Sequence, residues 1–434
     1  QARTGRFNDL SPVAMTALWS LLLEISANPA TLFCLNLAMY WIGMALCVMA
    51  ISENTPVRVV LLFAFGIAPL TLVEMAHLLS DAHLAAVLVL ATGLAAWGLV
   101  ASRTAPLLAC ILTLAYAGCV RHNALIAILP YGAVLALALV PLRDRDWRVA
   151  FTGALVLGVL SSAAGFALDR ALVLERMTVW PTIALWDLAA ISVDRNALLL
   201  PAFTHGSDLT VDELRETGAF DPTSNTFLFQ KSHSGMRDGL GEPYSPGQLV
   251  ELRQAWVNAV RQYPEAYVRH RLRTFWLLIG PHRGEVQGTA YFVAHTQFRD
   301  NPPLPPAWTQ TAQREFYAFA ATLRASWIFA GLPYLLLDVL ALILGWVRRD
   351  RPTARVALAI SSGALLYAAS FLPLAPSSEL RYLTWPIIAG PLALAFALSR
   401  RSRVSRDDPF PNFRMNFPTV HIFLNNLRTS LRPT

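Results

Sequence analysis

Long runs without charge set the first reading of this chain. VVLLFAFGIAPLTLV (59–73) and VLVLATGLAAWGLV (87–100) show neither the two-residue alternation of a half-buried strand nor the polar face of a surface helix. A helix apolar all round and about 20 residues long suits the hydrocarbon core of a bilayer. Runs of this kind occupy 28–50, 57–76, 82–101, 105–120, 122–142, 149–174, 326–347, 354–374 and 380–400. The pattern therefore predicts an all-α polytopic membrane protein with about nine transmembrane helices, the run at 105–120 being short.

Between the two groups of runs lies a polar but aromatic-rich stretch, 175–325. YSPGQLVELRQAWVNAVRQYP (244–264) predicts an amphipathic helix with Ser245 as N-cap, Pro246 in the first turn and Leu249, Leu252, Trp256 and Val260 on one side. A second helix is predicted after Pro264, carrying Tyr267, His270, Arg271 and Phe275, and NPPLPP (301–306) reads as a stiff connector. The chain thus divides into 1–27, a remnant of a first extracytoplasmic loop; 28–174, transmembrane helices; 175–325, an α-rich extracytoplasmic segment; 326–400, transmembrane helices; and 401–434, a cytoplasmic tail.

Composition agrees. Of 434 residues, 55% are hydrophobic and 15% charged, with a mean hydropathy of +0.45, against roughly 25% charged in soluble domains. The net charge of +7 is arginine-rich and reads as an orientation signal rather than nucleic-acid affinity. Arg143, Arg145 and Arg148, then Arg348, Arg349, Arg351 and Arg355, then Arg400, Arg401, Arg403 and Arg406 form three clusters, with Arg58 and Arg103 as weaker signals. Placing all of them inside puts residues 1–27, the 77–81 join, Arg121–His122, 175–325 and 375–380 outside. The chain starts at Gln1 with polar QARTGRFND and no signal peptide, so this orientation predicts a further helix upstream. Cys34, Cys47, Cys110 and Cys119 all fall in apolar runs and read as small buried hydrophobes, not as a disulfide framework or zinc ligands.

Chemistry concentrates at the predicted outer ends of the runs. In VEMAHLLSDAHLAA (73–86), Glu74, His77, Asp81 and His83 interrupt two apolar runs. If one helix continues through the join, Glu74, His77 and Asp81 share a face that could bind a divalent cation or hold a carboxylate suited to proton transfer. The bland alternative is Ser80 or Asp81 as a helix cap, with His77 in interfacial water. Arg121 and His122 end one run, and Glu379, Arg381 and Tyr382 precede the last. Either arginine alone reads as an interfacial side chain; two on the side of the acids could clamp a lipid-linked phosphate. Arg269, His270, Arg271 and Arg273 read as a helix resting on anionic headgroups, and Asp187 as a secondary acid. Walker, GxGxxG, HExxH and GxSxG patterns are absent.

Taken in order, FNDLSPVAMTALW (7–19), LLSDAHLAA (78–86), RHNALIAILP (121–130), WDLAAIS (186–192), YPEAYVRHRLRTF (263–275) and LRYLTWP (380–386) make the chain resemble bacterial GT-C glycosyltransferases, relatives of the protein mannosyltransferases and lipid A aminoarabinose transferases. The resemblance covers most of residues 1–400 and no single motif is diagnostic. It implies inverting transfer of a sugar from a polyprenyl-phosphate donor to an extracytoplasmic acceptor, at the outer face of a bacterial inner membrane. It also implies a carboxylate base in the first outer loop, where Asp9 is the one acid present, a second acidic position matching Asp81, a basic residue matching Arg381, and in some members a divalent metal. A transporter or lipid flippase is the main rival, disfavoured because the runs carry almost no charge in their middles and show no internal symmetry. A membrane acyltransferase would want a histidine deep in a run, and a non-catalytic assembly factor would need no site.

Overall fold

The computed structural model describes residues 1–140, 146–206, 209–216, 218–229, 244–280, 307–323 and 326–401, and of residues 307–310, 313 and 317 only the backbone. The cluster arginines Arg143 and Arg145, the connector at 301–306 and the tail from 402 lie outside the described residues.

The apolar runs fold as helices: α1 (Val13–Ile25), α2 (Thr31–Ile51), α3 (Thr55–Gly66), α4 (Pro69–Met75), α5 (Ser80–Val100), α6 (Thr104–Val120), α7 (Ala124–Leu139) and α8 (Trp147–Leu172). The polar stretch gives α9 (Trp180–Arg195), α10 (Val211–Glu216), α11 (Pro246–Gln262), α12 (Pro264–Ile279) and α13 (Ala307–Leu323), followed by α14 (Gly331–Val347), α15 (Pro352–Leu374) and α16 (Thr384–Leu398). Strands β1 (Phe7–Asn8) and β2 (Val173–Glu175) pair in parallel. As predicted, Ser245 caps α11, in a reciprocal box with Gln248.

Among the described residues, five helices are long and apolar enough to cross a membrane: α2, α5, α8, α15 and the stretch Leu380–Leu398 that includes α16. A sixth is gained if α3 and α4, bent by 60° at their junction, count as one broken span. This corrects the expected nine. Pro69 opens a new helix and forces Ala68 before it into extended backbone (φ −53°, ψ 133°), which breaks the run at 57–76. α6, α7 and α14 have 17, 16 and 17 residues, about 24–26 Å of rise, and fall short of a full crossing by length.

α5 lies at the centre, packed by α2, α6, α7, α15 and α16. Its approach to α2 is close enough to require glycine: a Cβ on Gly43 would sit 2.5 Å from the Leu90 backbone nitrogen, and one on Gly93 2.5 Å from the Gly43 carbonyl. α8 instead exposes Trp147, Phe151, Leu155, Val159 and Phe166, an apolar surface suited to lipid.

The bundle has two unlike ends. At one, Arg348 donates to the Ala397 carbonyl (2.9 Å), Arg351 to that of Ser399 (3.4 Å), and Arg401 pairs with Glu53. Arg103 and Arg355 line a cavity of about 280 Å³ with Leu107 and Leu139. The other end carries Asp81, Arg121, Glu379 and Arg381.

The polar stretch is fastened to this second end. Asp187 on α9 is fully buried and gathers three helices: its Oδ2 accepts from Arg271 Nη2 on α12 (2.7 Å) and from Trp256 Nε1 on α11 (3.0 Å). The other arm of Arg271 donates to the Ala375 carbonyl (2.8 Å), at the start of the loop leading to Glu379 and Arg381. Ser224 and Ser377 form an antiparallel bridge, the Ser378 amide donates to Thr223 O (2.7 Å), and the Asn225 amide to Pro376 O (3.0 Å). The expectation that Arg269, His270, Arg271 and Arg273 rest on lipid headgroups is therefore corrected for His270 and Arg271, while Arg273 is exposed. His270 and Arg271 are buried against Asp187, and Arg269 pairs with Asp194 (2.7 Å).

Burial raises the Asp187 carboxyl to about 6, although Arg271 and Trp256 pull it down. Burial, with Arg271 and Arg273 nearby, lowers the His270 imidazole to about 3.

Candidate functional site

The acids and arginines singled out by their positions at the ends of apolar runs do meet, with exceptions. Asp81 stands in the first turn of α5, 4% exposed, and forms an ion pair with Arg121, which follows α6 in extended backbone. It is not a helix cap: Leu79 holds the N-cap position without a side-chain bond. Arg121 also faces the ring of Tyr382, its guanidinium carbon 5.5 Å from the ring centre. Arg381 sits 5.0 Å from the centre of the same ring, donates to the Tyr382 hydroxyl (3.2 Å) and pairs with Glu379. Two guanidinium groups thus lie close to one ring, each balanced by one carboxylate. Burial pushes the Glu379 carboxyl above the usual carboxylate range, with Arg381 offsetting part of the effect.

Glu74, at the end of α4 and 1% exposed, joins the same cluster within electrostatic range of Asp81, Arg381 and Glu379. Its bonding is thin. The Thr384 hydroxyl approaches Oε2 at 3.4 Å, but its single hydrogen is better placed on the Arg381 carbonyl at 2.6 Å. Oε1 is buried with no hydrogen-bond partner among the described residues. Glu74 is therefore the carboxylate of the cluster least committed to the fold.

Three expectations are corrected. First, no helix runs through the join. α4 ends at Met75 and α5 starts at Ser80, so Glu74, His77 and Asp81 do not share one helical face. Second, no group of three or more His, Cys, Asp or Glu among the described residues could hold a metal ion. His77 Nδ1 lies against the Val73 carbonyl (2.8 Å) and Asp81 is taken by Arg121, so the residues present do not fit the divalent metal implied by the resemblance. Third, Asp9 is engaged elsewhere. Its Oδ1 accepts from the Met177 amide (2.6 Å) and its Oδ2 from that of Thr178 (3.3 Å), where Thr178 has a positive φ of 58°. It anchors the turn after β2 and its contacts do not include the cluster. His122 is exposed beside Arg121.

His83 is structural. It is fully buried, with Nδ1 2.7 Å from Asn36 Oδ1 and Nε2 2.7 Å from the Tyr116 hydroxyl, linking α5 to α2 and α6. Beside the cluster, Ala76, His77 and Leu78 line a cavity of about 710 Å³ with Trp19 and Leu23 of α1 and Phe33 of α2. Its walls are largely apolar, and burial holds His77 at its rim below the usual imidazole range.

Two residues escaped the reading of the sequence. Thr384 looked like an ordinary start to an apolar run. Asp338 lies inside the run GLPYLLLDVLALILGWV, where a lone acid is itself a signal.

These features define an all-helical protein with several helices suited to a membrane and an acid–arginine cluster at one end of the bundle. Comparisons with protein-family models, with curated proteins and with solved structures return no match.

Proposed function

We propose that this chain is an integral membrane glycosyltransferase of the GT-C type, moving a sugar from a polyprenyl-phosphate donor to an extracytoplasmic acceptor of the cell envelope, and that it resides in a bacterial inner membrane. The observation that carries the reading is the meeting of Arg121 and Arg381 on Tyr382, beside the weakly bonded Glu74. In this reading the shorter apolar helices α6, α7 and α14 and the bent α3–α4 pair enter the bilayer beside the long ones. The arginine end of the bundle faces the cytoplasm.

Two guanidinium groups beside one ring suit a phosphate with charge on more than one oxygen. The acceptor hydroxyl attacks the anomeric carbon, a C–O bond forms, and the bond from that carbon to the phosphate oxygen breaks. The electron pair leaves with the polyprenyl phosphate, stabilised by Arg121 and Arg381, and the acceptor proton passes to Glu74. Asp81 keeps Arg121 in place. No metal step is involved, since the cluster does not fit one.

The test is full-length protein in vesicles with a panel of polyprenyl-phosphate sugars, read as sugar transfer or release. Glu74→Gln should reduce turnover by about 10²–10⁴-fold, the usual contribution of a general base. Arg381→Ala should cost about 10²–10³-fold, as for an oxyanion donor. Wild-type turnover in both variants, or no turnover of any donor by the wild type, overturns the reading. A lipid or small-molecule transporter is the second reading, and one observation favours it: Asp338 is an acid in the middle of an apolar helix.

A further inference from the structure

Asp338 plays no part in the cluster at the bundle end. It stands on the buried face of α14, in the series Gly331, Leu335, Asp338, Ala341, Gly345, and is 0% exposed. It lies seven residues in from the end of α14 that meets Leu383 and Ile279, about 10 Å along the axis. Neither Oδ1 nor Oδ2 has a hydrogen-bond partner among the described residues. A bare carboxylate in such surroundings is satisfied only by a proton or a small cation.

The surroundings favour the proton. α16 has no titratable residue, and α15 offers only Arg355 near its start and Tyr367 towards its other end. α12 meets α14 through Ile279 against Gly331. From α7, Tyr131 lies within electrostatic range of Asp338. The Tyr131 hydroxyl is 2.7 Å from Thr92 Oγ1, and Thr92 gives its own hydrogen to the Leu88 carbonyl (2.7 Å). Tyr131 is therefore the donor to Thr92, and its oxygen keeps a lone pair as acceptor. A proton leaves the carboxyl neutral in these apolar surroundings, whereas a cation would bring a second buried charge.

We propose that Asp338 is a binding site for one exchangeable proton in the interior of the bundle, on the face of α14 that packs against α15 and α16. One O–H bond forms at a carboxyl oxygen as one breaks on the hydronium ion that delivers it, and no electrons are exchanged. This site is independent of the transferase reading. It would make any opening of the α14 interface to water depend on proton release.

The test uses the full chain in phosphatidylcholine vesicles, treated across a pH series with dicyclohexylcarbodiimide, which partitions into apolar interiors and adds to protonated carboxyls. A parallel sample receives a water-soluble carbodiimide, and adducts are located by peptide mass mapping. The expected result is an Asp338 adduct with the hydrophobic reagent alone, declining as pH rises and absent from Asp338→Asn. A protonated-carboxyl infrared band lost in the same variant should accompany it. An Asp338 adduct with the soluble reagent places the group in water and overturns the proposal, as does absence of any adduct throughout the series. Protection by sodium at fixed pH and ionic strength identifies a cation site instead, and also overturns it. If Asp338→Asn fails to fold, the wild-type adduct pattern decides alone.

Discussion

At the scale of single residues, the ion pair between Asp81 and Arg121 separates what holds the cluster from what acts in it. Asp81 is 4% exposed, so removing Arg121 strands a carboxylate away from water. Arg121→Met should cost about 3–5 kcal/mol, while Arg121→Met combined with Asp81→Leu should recover much of the loss, because a buried pair is replaced rather than broken. Denaturant titration in detergent measures both; a double variant no more stable than the single one would refute the pairing. Glu74→Gln, by contrast, leaves that pair intact and is the cleaner probe of chemistry. Much of this site was legible in the sequence, since acids and arginines at the ends of apolar runs stand out. What could not be read was the division of labour. Asp9 looked available, but its partners are backbone amides 168 and 169 residues away, a distance no local pattern reports. The contrast between an engaged Asp81 and a thinly bonded Glu74 likewise depends on Arg121 and Thr384, which come from other elements.

At the scale of elements, periodicity located the helices but not their interruptions. Gly66 and Pro69 sit inside a continuous apolar run, and only backbone geometry showed that the run breaks there with a 60° bend. α12 was misjudged for a related reason: its basic stretch looks amphipathic, yet the acid that buries Arg271 lies 84 residues earlier on α9. That junction makes a prediction about pH. The His270 imidazole, depressed to about 3, contributes stability present above pH 6.5 and lost as pH falls towards 3. The Asp187 carboxyl, raised to about 6, contributes stability present below about pH 4 and lost as pH rises through 6. The two slopes oppose each other between pH 4 and 6. Wild-type thermal unfolding should therefore change little across that window. Asp187→Asn should become more stable as pH rises, and His270→Phe less stable. Parallel curves for all three proteins would exclude this linkage. A second prediction concerns α2 and α5. Gly43→Val should destabilise by at least about 1–3 kcal/mol, the usual penalty of overpacking, because the new atoms meet Leu90 backbone.

At the scale of the whole molecule, the gathering of Arg348, Arg351 and Arg401 at the end opposite Asp81 and Glu379 makes a prediction about placement in a bilayer. His122→Cys, introduced where the wild-type side chain is exposed, and Arg349→Cys at the opposite end should react with a membrane-impermeant maleimide from opposite sides of intact cells or vesicles. The four native cysteines form no disulfide, so they can be replaced beforehand. Labelling of both positions from the same side would contradict the proposed topography. The Arg271 bond to Ala375 and the Ser224–Ser377 bridge have a mechanical consequence. Because they splice the polar helices to the stretch of chain that presents Arg381, this flank would swing only as one rigid body, carrying Arg381 with it. A bulky ligand then has an easier doorway through the chamber that Trp19 and Leu23 share with Ala76, His77 and Leu78, whose walls belong to other elements.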